Sequence, residues 1–494
     1  MVDHTLQNND VMFQTTSNES DALKPISLSE RMISMDILRG FALIGILFMN
    51  IEWFTRPIAE LMVLDLTLTG ADYTSSWLVL LFVQGKFYKL FSLLFGMGFA
   101  VMMLRAQQKG RPFTAWFLRR MFVLLLIGYA HLIFLWEGDI LHDYALGGIF
   151  MLLFMLLLRT KKLSRFNNPD SIGKFAVGLM LAPLIITMIV GSYYGASNDT
   201  QTLESKWQER QQVEALFQQK KAAYNPENNK DWPLAEVTQE QPEVENPAAD
   251  TEGEELSVEE KAQKRYERFV KRDAKVQKEI DVFKNGNYDE IVSFRMASVK
   301  ENLADTIFMS LAVLLAIFLL GYWFVASKKI ENAEEHKTFF KTLAWVGLTL
   351  GFMLNLGPVL VLSHPSAQDS QFIKTVMMNM MFFGQTVLML GYVGLMVLMI
   401  MKPRIKRMLS WMAPLGQMAL TNYIMHSLIL TTFFYGYGYG MYGEVSRLTQ
   451  MYIVVGIILF QVVFSVLWLK AFRFGPLEWI WRSLTYMKIQ PIVR

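Results

Sequence analysis

"MDILRGFALIGILFMN", residues 35–50, opens with an acid and a base and closes on an amide. The ten residues between Arg39 and Asn50 carry no charge and no hydrogen-bonding side chain. A run of about 20 such residues makes a helix of roughly 30 Å, the thickness of a bilayer's hydrocarbon core. Comparable runs recur along all 494 residues, of which 53% are hydrophobic and only 18% charged. The sequence therefore predicts an all-α, polytopic transmembrane helical bundle.

Ten spans are expected, at about 37–56, 77–104, 117–136, 142–159, 174–195, 303–326, 338–362, 372–401, 409–434 and 449–471. Basic loops such as "RAQQKGRPFTAWFLRR" (105–120), "RTKKLSR" (159–165) and "KPRIKR" (402–407) follow the even-numbered spans. Acidic or neutral loops such as "WEGDILHD" (136–143) and "SHPSAQDSQ" (363–371) lie between. The positive-inside rule then places both termini in the cytoplasm. The divisions are a polar cytoplasmic tail (1–34), a first membrane half (35–195), an extracytoplasmic loop (196–302), a second half (303–471) and a basic cytoplasmic tail (472–494).

The loop 196–302 holds about half of the chain's 44 acidic residues. Its middle, 225–255, is acidic and proline-rich, the composition of a flexible tip. Ser257 and Glu260 make a capping box ahead of a charged helix, so an outward helical hairpin is expected. Residues 1–34 lack the basic start, short apolar core and small-residue site of a cleaved signal peptide. There is no cysteine, which removes disulfides, thiolate nucleophiles and cysteine-ligated metals. No metal and no bound cofactor is assigned. Outside the topological loops there is no basic patch, so the partners read are the bilayer and a substrate, with no nucleic acid.

Polar groups inside a membrane are costly and tend to be functional or paired. Helix rise sets Asn50 roughly 20 Å above the inner surface and His131, in "LLLIGYAHLIFLW", at a similar height. Asn422 and His426, in "GQMALTNYIMHSLIL" after Gln417, share one helical face and the same depth. Asp139 and His142, in "GDILHDYA", sit at the outer lip. An imidazole beside an acid is the minimum for general-base work, so His131, Asp139 and His142 are the catalytic candidates. Each polar residue alone reads equally as interhelical glue; the shared depth argues for one site. Ser427 beside His426 faces another direction on the helix, so that pair is discounted and no nucleophile is assigned.

Two other places stand out. "FVQGKFYKLFSLLFGMGFAVMML" (82–104) is interrupted by "QGK", with Lys86 and Lys89 below the outer surface, either binding an anion or carbonyl or snorkelling to headgroups. Asp36 and Arg39 lie three apart at the inner entrance and are expected to pair; the 105–120 loop is close in the topology and could hold a phosphate-rich donor. The sixth span shows no central Gly or Pro break, and the aromatic stretch 433–443 reads as an interfacial belt or a lid.

"LSERMISMDILRGFALIGILFMNI" (28–51), "GKFYKLFSLLFGMG" (85–98), "RRMFVLLLIGYAHLIFLWEGDILHDYALGG" (119–148) and "GQMALTNYIMHSLI" (416–429) together resemble the YeiB-like bacterial membrane proteins. "NGNYDEIVSFR" (285–295), ending in Arg295, fits the same pattern. The family's C-terminal half is a domain of unknown function. The family is grouped with transmembrane acyltransferases, a resemblance that implies acyl transfer from a cytoplasmic donor such as acetyl-CoA or another acyl-CoA. The similar entrance of acyltransferase-three proteins carries a histidine eleven residues after the arginine, where this chain has Asn50. Heparan-α-glucosaminide N-acetyltransferase relatives look alike in having asparagine there. The expected function is an integral-membrane acyltransferase acting on a sugar, lipid or small molecule, with Asp36, Arg39, Asn50, Lys86, Lys89, Arg295, Gln417, Asn422 and His426 as substrate-binding candidates. The alternative is a secondary transporter or exporter of a small polar or anionic solute. The five-plus-five topology favours transport; the missing internal repeat opposes it.

Overall fold

A computed structural model of the chain describes residues 33–57, 61, 68–197, 200–224, 256–301, 307–362 and 371–494. Residues 1–32 of the polar tail and the acidic tip at 225–255 lie outside them. Among the described residues the chain is helical, with one isolated bridge, Phe472 to Val493. Among the described residues, seven helices are long and apolar enough to cross a bilayer.

The first half runs α1 (Ile33–Thr55), α2 (Gly70–Leu78), α3 (Phe87–Gln108), α4 (Thr114–Phe134), α5 (Leu141–Leu157) and α6 (Pro169–Ser197). The charged hairpin follows as α7 (Thr200–Ala222), α8 (Val258–Asn285) and α9 (Tyr288–Glu301). The second half contains α10 (Leu315–Ala326), α11 (Lys337–Leu362), α12 (Gln371–Met401), α13 (Pro403–Leu409), α14 (Met412–Gln417), α15 (Ala419–Phe434) and α16 (Arg447–Ala471). A last helix, α17 (Pro476–Tyr486), closes the chain.

The ten expected spans are all helical in their described parts, but three fall short of the long class. The fourth, α5, has 17 residues, roughly 26 Å. The sixth reaches α10 through a π-helical turn at Met309–Leu314. This break has no glycine or proline to announce it, since a π-turn needs only one shifted hydrogen bond. The ninth is cut between α14 and α15 at Met418, whose ψ of 34° ends the helical path. The "QGK" interruption is real: Val79–Val83 is π-helical, and Gly85 turns the chain at a φ of +78°.

Lipid-length helices present large apolar side chains outward, among them Phe122, Leu126, Ile186, Ile189, Leu459 and Val463. In water such a belt would be an association surface; in a bilayer it meets lipid. The two charged helices α7 and α8 pack on each other. Ser257 and Glu260 make the reciprocal capping box, and Arg265–Glu214 (2.6 Å) and Phe217–Phe269 join α7 to α8. The 433–443 stretch is pinned rather than loose: Gly436 N–H donates to Phe283 O of α8 at 2.8 Å, and Gly443 N–H to Thr55 O at 2.9 Å.

The broken ninth span packs on α1 at backbone distance. A Cβ built on Gly416 would lie 2.0 Å from Asp36 O, and one on Gly40 2.1 Å from Met412 O. Only hydrogen fits at either position. Gly416→Ala should therefore force α1 and α14 apart and cost about 1–3 kcal/mol, as overpacking of a filled core does. A clearly lowered thermal midpoint in detergent is expected; an unchanged midpoint would refute the close contact.

Candidate functional site

The site begins with a shape requirement. Gly128 on α4 faces the backbone of His142, where a Cβ would lie 2.4 Å from His142 N. That approach lets α4 and α5 bring their histidines to one carboxylate. After α4 the chain turns through Leu135 and Trp136, whose N–H groups both donate to His131 O, and Trp136 stacks on Phe54 at 4.1 Å. The turn delivers Asp139 between the two rings.

Asp139 Oδ1 lies 2.7 Å from His131 Nδ1, and Oδ2 lies 2.8 Å from His142 Nδ1. Oδ2 also accepts the His142 backbone N–H at 3.0 Å, a cap on the first turn of α5. Burial by itself would push the Asp139 carboxyl up, but the bonds from both imidazoles outweigh it and hold it below the usual aspartate range. An ionised carboxylate accepts only, so it holds a proton on Nδ1 of each ring, which leaves Nε2 of His131 as a lone-pair acceptor toward its other neighbour. The His131–Asp139 and His142–Asp139 pairings thus coexist on one carboxylate. On its other side His131 Nε2 meets Ser427 Oγ of α15 at 2.7 Å.

Beside this cluster runs a cavity of about 1070 Å³. It follows α4 from Trp116 and Arg120 past Leu124 to Ile140, Leu141, Tyr144 and Tyr423. The Tyr423 ring lies 5.3 Å from the His131 ring, so the cluster sits just behind that end wall. The opposite end is basic, lined by Arg105, Lys109, Arg120, Arg473, Arg482 and Lys488. The two lining acids are engaged: Asp36 accepts from Arg39 at 3.1 Å, and Glu478 accepts from Leu420 N, Thr421 N and Thr421 Oγ1 at 2.7, 3.1 and 2.6 Å. Glu478 thereby caps α15 across the break. Arg120 stacks on Trp481 at 3.6 Å, so α17 forms part of the basic wall.

The other candidates separate. Asp36, Arg39 and Gln417 line the cavity, and the expected Asp36–Arg39 pair is formed. Asn422 and His426 do not join His131. They face α16, where Asn422 Nδ2 donates to Ser465 Oγ at 3.0 Å and His426 Nε2 meets Gln461 Oε1 at 2.8 Å. The expected convergence of Asn422 and His426 with His131 is thus replaced by two seams on α15: Asn422 and His426 face α16, while the next residue, Ser427, meets His131 of α4. Asn50 is buried on α1. Lys86 and Lys89 do not snorkel; both are fully buried. Lys86 Nζ donates to Leu80 O at 2.8 Å, tying down a carbonyl at the π-turn, and Lys89 Nζ donates to Phe382 O and Gln385 Oε1 at 2.8 and 3.0 Å. Arg295 is fully buried at the root of the hairpin, its guanidinium over Tyr435 and Phe283 at 5.3 and 5.7 Å.

Ser427 and Glu478 were not read from the sequence as site residues. Ser427 was weighed only against its chain neighbour His426; its partner lies 296 positions away. Glu478 follows "GP" in what reads as a basic tail, with no periodic signal to place it inside the bundle.

Glu137, in the same turn as Asp139, is pushed up to about 8 by burial and then by Glu279, against the pull of Arg295. The native state therefore keeps a proton that the unfolded chain, at 4.5, gives up. Stability contributed by that proton is full below about 4.5 and falls as pH rises toward 8. The thermal midpoint should drop between pH 5 and pH 8, and Glu137→Gln should flatten the slope. An equal slope in the variant would exclude Glu137 as its source.

Fold and site define an all-helical membrane protein with a buried, bridged His–Asp–His cluster behind a basic-mouthed cavity. The chain belongs to the YeiB-like family. It is 31% identical over 482 residues to the uncharacterized protein YxaH of Bacillus subtilis (strain 168), covering 96% of this chain and 98% of the relative. It is 26% identical over 469 residues to the uncharacterized protein YeiB of Escherichia coli (strain K12), covering 94% and 98%. Residues 324–488 match the family model described as "Protein of unknown function (DUF418)". No solved structure matches the chain significantly.

Proposed function

We propose that the protein is an integral-membrane acyltransferase of the bacterial cytoplasmic membrane, taking an acyl group from an acyl-CoA donor such as acetyl-CoA and passing it to a hydroxyl or amine of a sugar, lipid or small molecule. The observation that carries this reading is one cavity joining a basic mouth to the wall of a carboxylate-oriented imidazole. Both termini face the cytoplasm in this reading, which turns the mouth toward the cytoplasmic donor and the 196–302 hairpin outward. Arginines suit phosphates because the guanidinium gives paired, charge-assisted hydrogen bonds. The apolar middle, with Leu43, Ile46, Phe91 and Leu94 in its wall, suits a pantetheine arm and acyl chain. His131, held in the Nδ1–H form by Asp139, takes the proton at Nε2, and Asp139 balances the imidazolium that results.

The test is made on protein reconstituted in vesicles with radiolabelled acetyl-CoA and envelope extract. Label should move to an acceptor while free CoA thiol appears in equal amount. Accumulation of labelled solute inside the vesicles, with no thiol released, would replace this reading with transport.

A further inference from the structure

A serine inside a helix ordinarily turns its hydroxyl back to the carbonyl four residues before it. This chain follows that habit repeatedly: Ser92 donates to Tyr88 O at 2.7 Å, Ser327 to Trp323 O at 2.6 Å and Thr432 to Leu428 O at 2.7 Å. Ser427 departs from it. Its hydroxyl is turned sideways to His131 Nε2 at 2.7 Å, while His131 Nδ1 is bound to Asp139 at 2.7 Å. Three side chains from α15, α4 and the α4–α5 turn thus stand in the order hydroxyl, imidazole, carboxylate. This is the arrangement by which a weak nucleophile is activated. Ser427 is 1% exposed, in a site where its hydroxyl meets no bulk water. The Trp136 ring lies edge-on to the imidazole, with centroids 6.3 Å apart, and its buried indole N–H makes no hydrogen bond.

We infer that Ser427 is the nucleophile that carries the acyl group between donor and acceptor, so that transfer proceeds by double displacement. The inference rests on the acyltransferase reading but goes beyond it, since a general base alone needs no enzyme-bound intermediate. In the first step Ser427 Oγ gives its proton to His131 Nε2 and attacks the thioester carbonyl. The C–O bond forms, the C–S bond breaks, and the departing thiolate takes the proton from Nε2. In the second step the acceptor's hydroxyl or amine gives a proton to His131 Nε2 and attacks the acyl-serine carbonyl. The ester C–O bond breaks and the proton returns to Ser427 Oγ. No oxidant or reductant is required. Tyr423, one helical turn before Ser427 and in the cavity wall, stands between donor and nucleophile, so its ring must move aside for the first step. A dry pocket suits such a mechanism, because water would hydrolyse the ester between steps.

The full-length protein is treated in membranes with a fluorophosphonate, a probe that reacts with activated serines whatever their natural donor, and separately with radiolabelled acetyl-CoA without acceptor. A fluorophosphonate adduct on the peptide containing Ser427, lost in Ser427→Ala and slowed about 10²-fold or more in His131→Ala, is the expected result. Acetyl-CoA should leave one acetyl group on the same peptide with release of one thiol. Wild-type labelling mapped to Ser427 needs no variant, so a folding defect cannot mimic it; Ser427→Cys should also trap the acyl group, as a thioester. If wild-type protein transfers acetyl groups but Ser427 takes neither label, and Ser427→Ala retains turnover, the nucleophile is overturned while the base and donor reading stands. If Ser427 takes the fluorophosphonate but acetyl-CoA neither binds nor reacts, the nucleophile stands and the donor reading fails.

Discussion

His131→Ala is expected to lower acyl transfer by about 10²–10⁴-fold while the protein still inserts and folds. The truncation removes the proton acceptor at Nε2, and with it the partner of both Asp139 Oδ1 and Ser427 Oγ. The truncation also leaves Asp139 Oδ1 buried and short of a partner, which costs about 1–3 kcal/mol of stability, so activity is compared at equal amounts of folded protein. His142→Ala should cost less, because Asp139, His131 and Ser427 remain aligned without it. Asp139→Asn should also cost less than His131→Ala, since the imidazole stays, yet an amide can accept from one ring only. Transfer is read as label passing from donor to membrane fractions, beside a folding control by size-exclusion profile. Full activity in a His131→Ala, His142→Ala double variant would end the general-base proposal.

Neutralising the mouth is expected to act on the other kinetic constant. Arg105→Gln, Arg482→Gln and Lys488→Gln together should raise KM for acetyl-CoA by about tenfold or more, because hydrogen bonds to charged groups contribute roughly 1.5–3 kcal/mol each. The value of kcat should change little, as these side chains line the far end of the cavity from His131. Added salt should raise KM in the wild type and much less in the variant, because solvent-accessible charge is screened within about 10 Å at 0.1 M ionic strength. An unchanged KM, or a loss confined to kcat, would remove the phosphate-binding role.

How far the sequence reaches is clearest at three residues. The helices were legible because lipid imposes a simple rule, about 20 apolar residues per crossing, and α1, α4 and α16 obey it. Asp36 with Arg39, and Asp139 with His142, were legible because their partners lie one turn away. Ser427 was not, because its meaning comes from α4, and periodicity carries no information about which helices touch. Asn422 and His426 show the same limit from the other side. Helix rise speaks to depth but leaves the azimuth open, and their face of α15 turns to Gln461 and Ser465. The π-turn before α10 escaped because its residues, Met309–Leu314, are ordinary helix formers in composition.

The break at Met418 has a mechanical consequence for the helix that follows it. At its start, α15 is held by Glu478 through two backbone amides and one hydroxyl; just past its end, Gly436 is clasped to Phe283 and Gly443 to Thr55. A rod fixed at both tips neither slides nor tilts freely. It behaves as a strut, and Ser427, near its middle, keeps a constant height against His131. Whatever motion admits a ligand must therefore come from the side chains and helices around this strut, with Tyr423 the nearest moving part, while the spacing between hydroxyl and imidazole stays set.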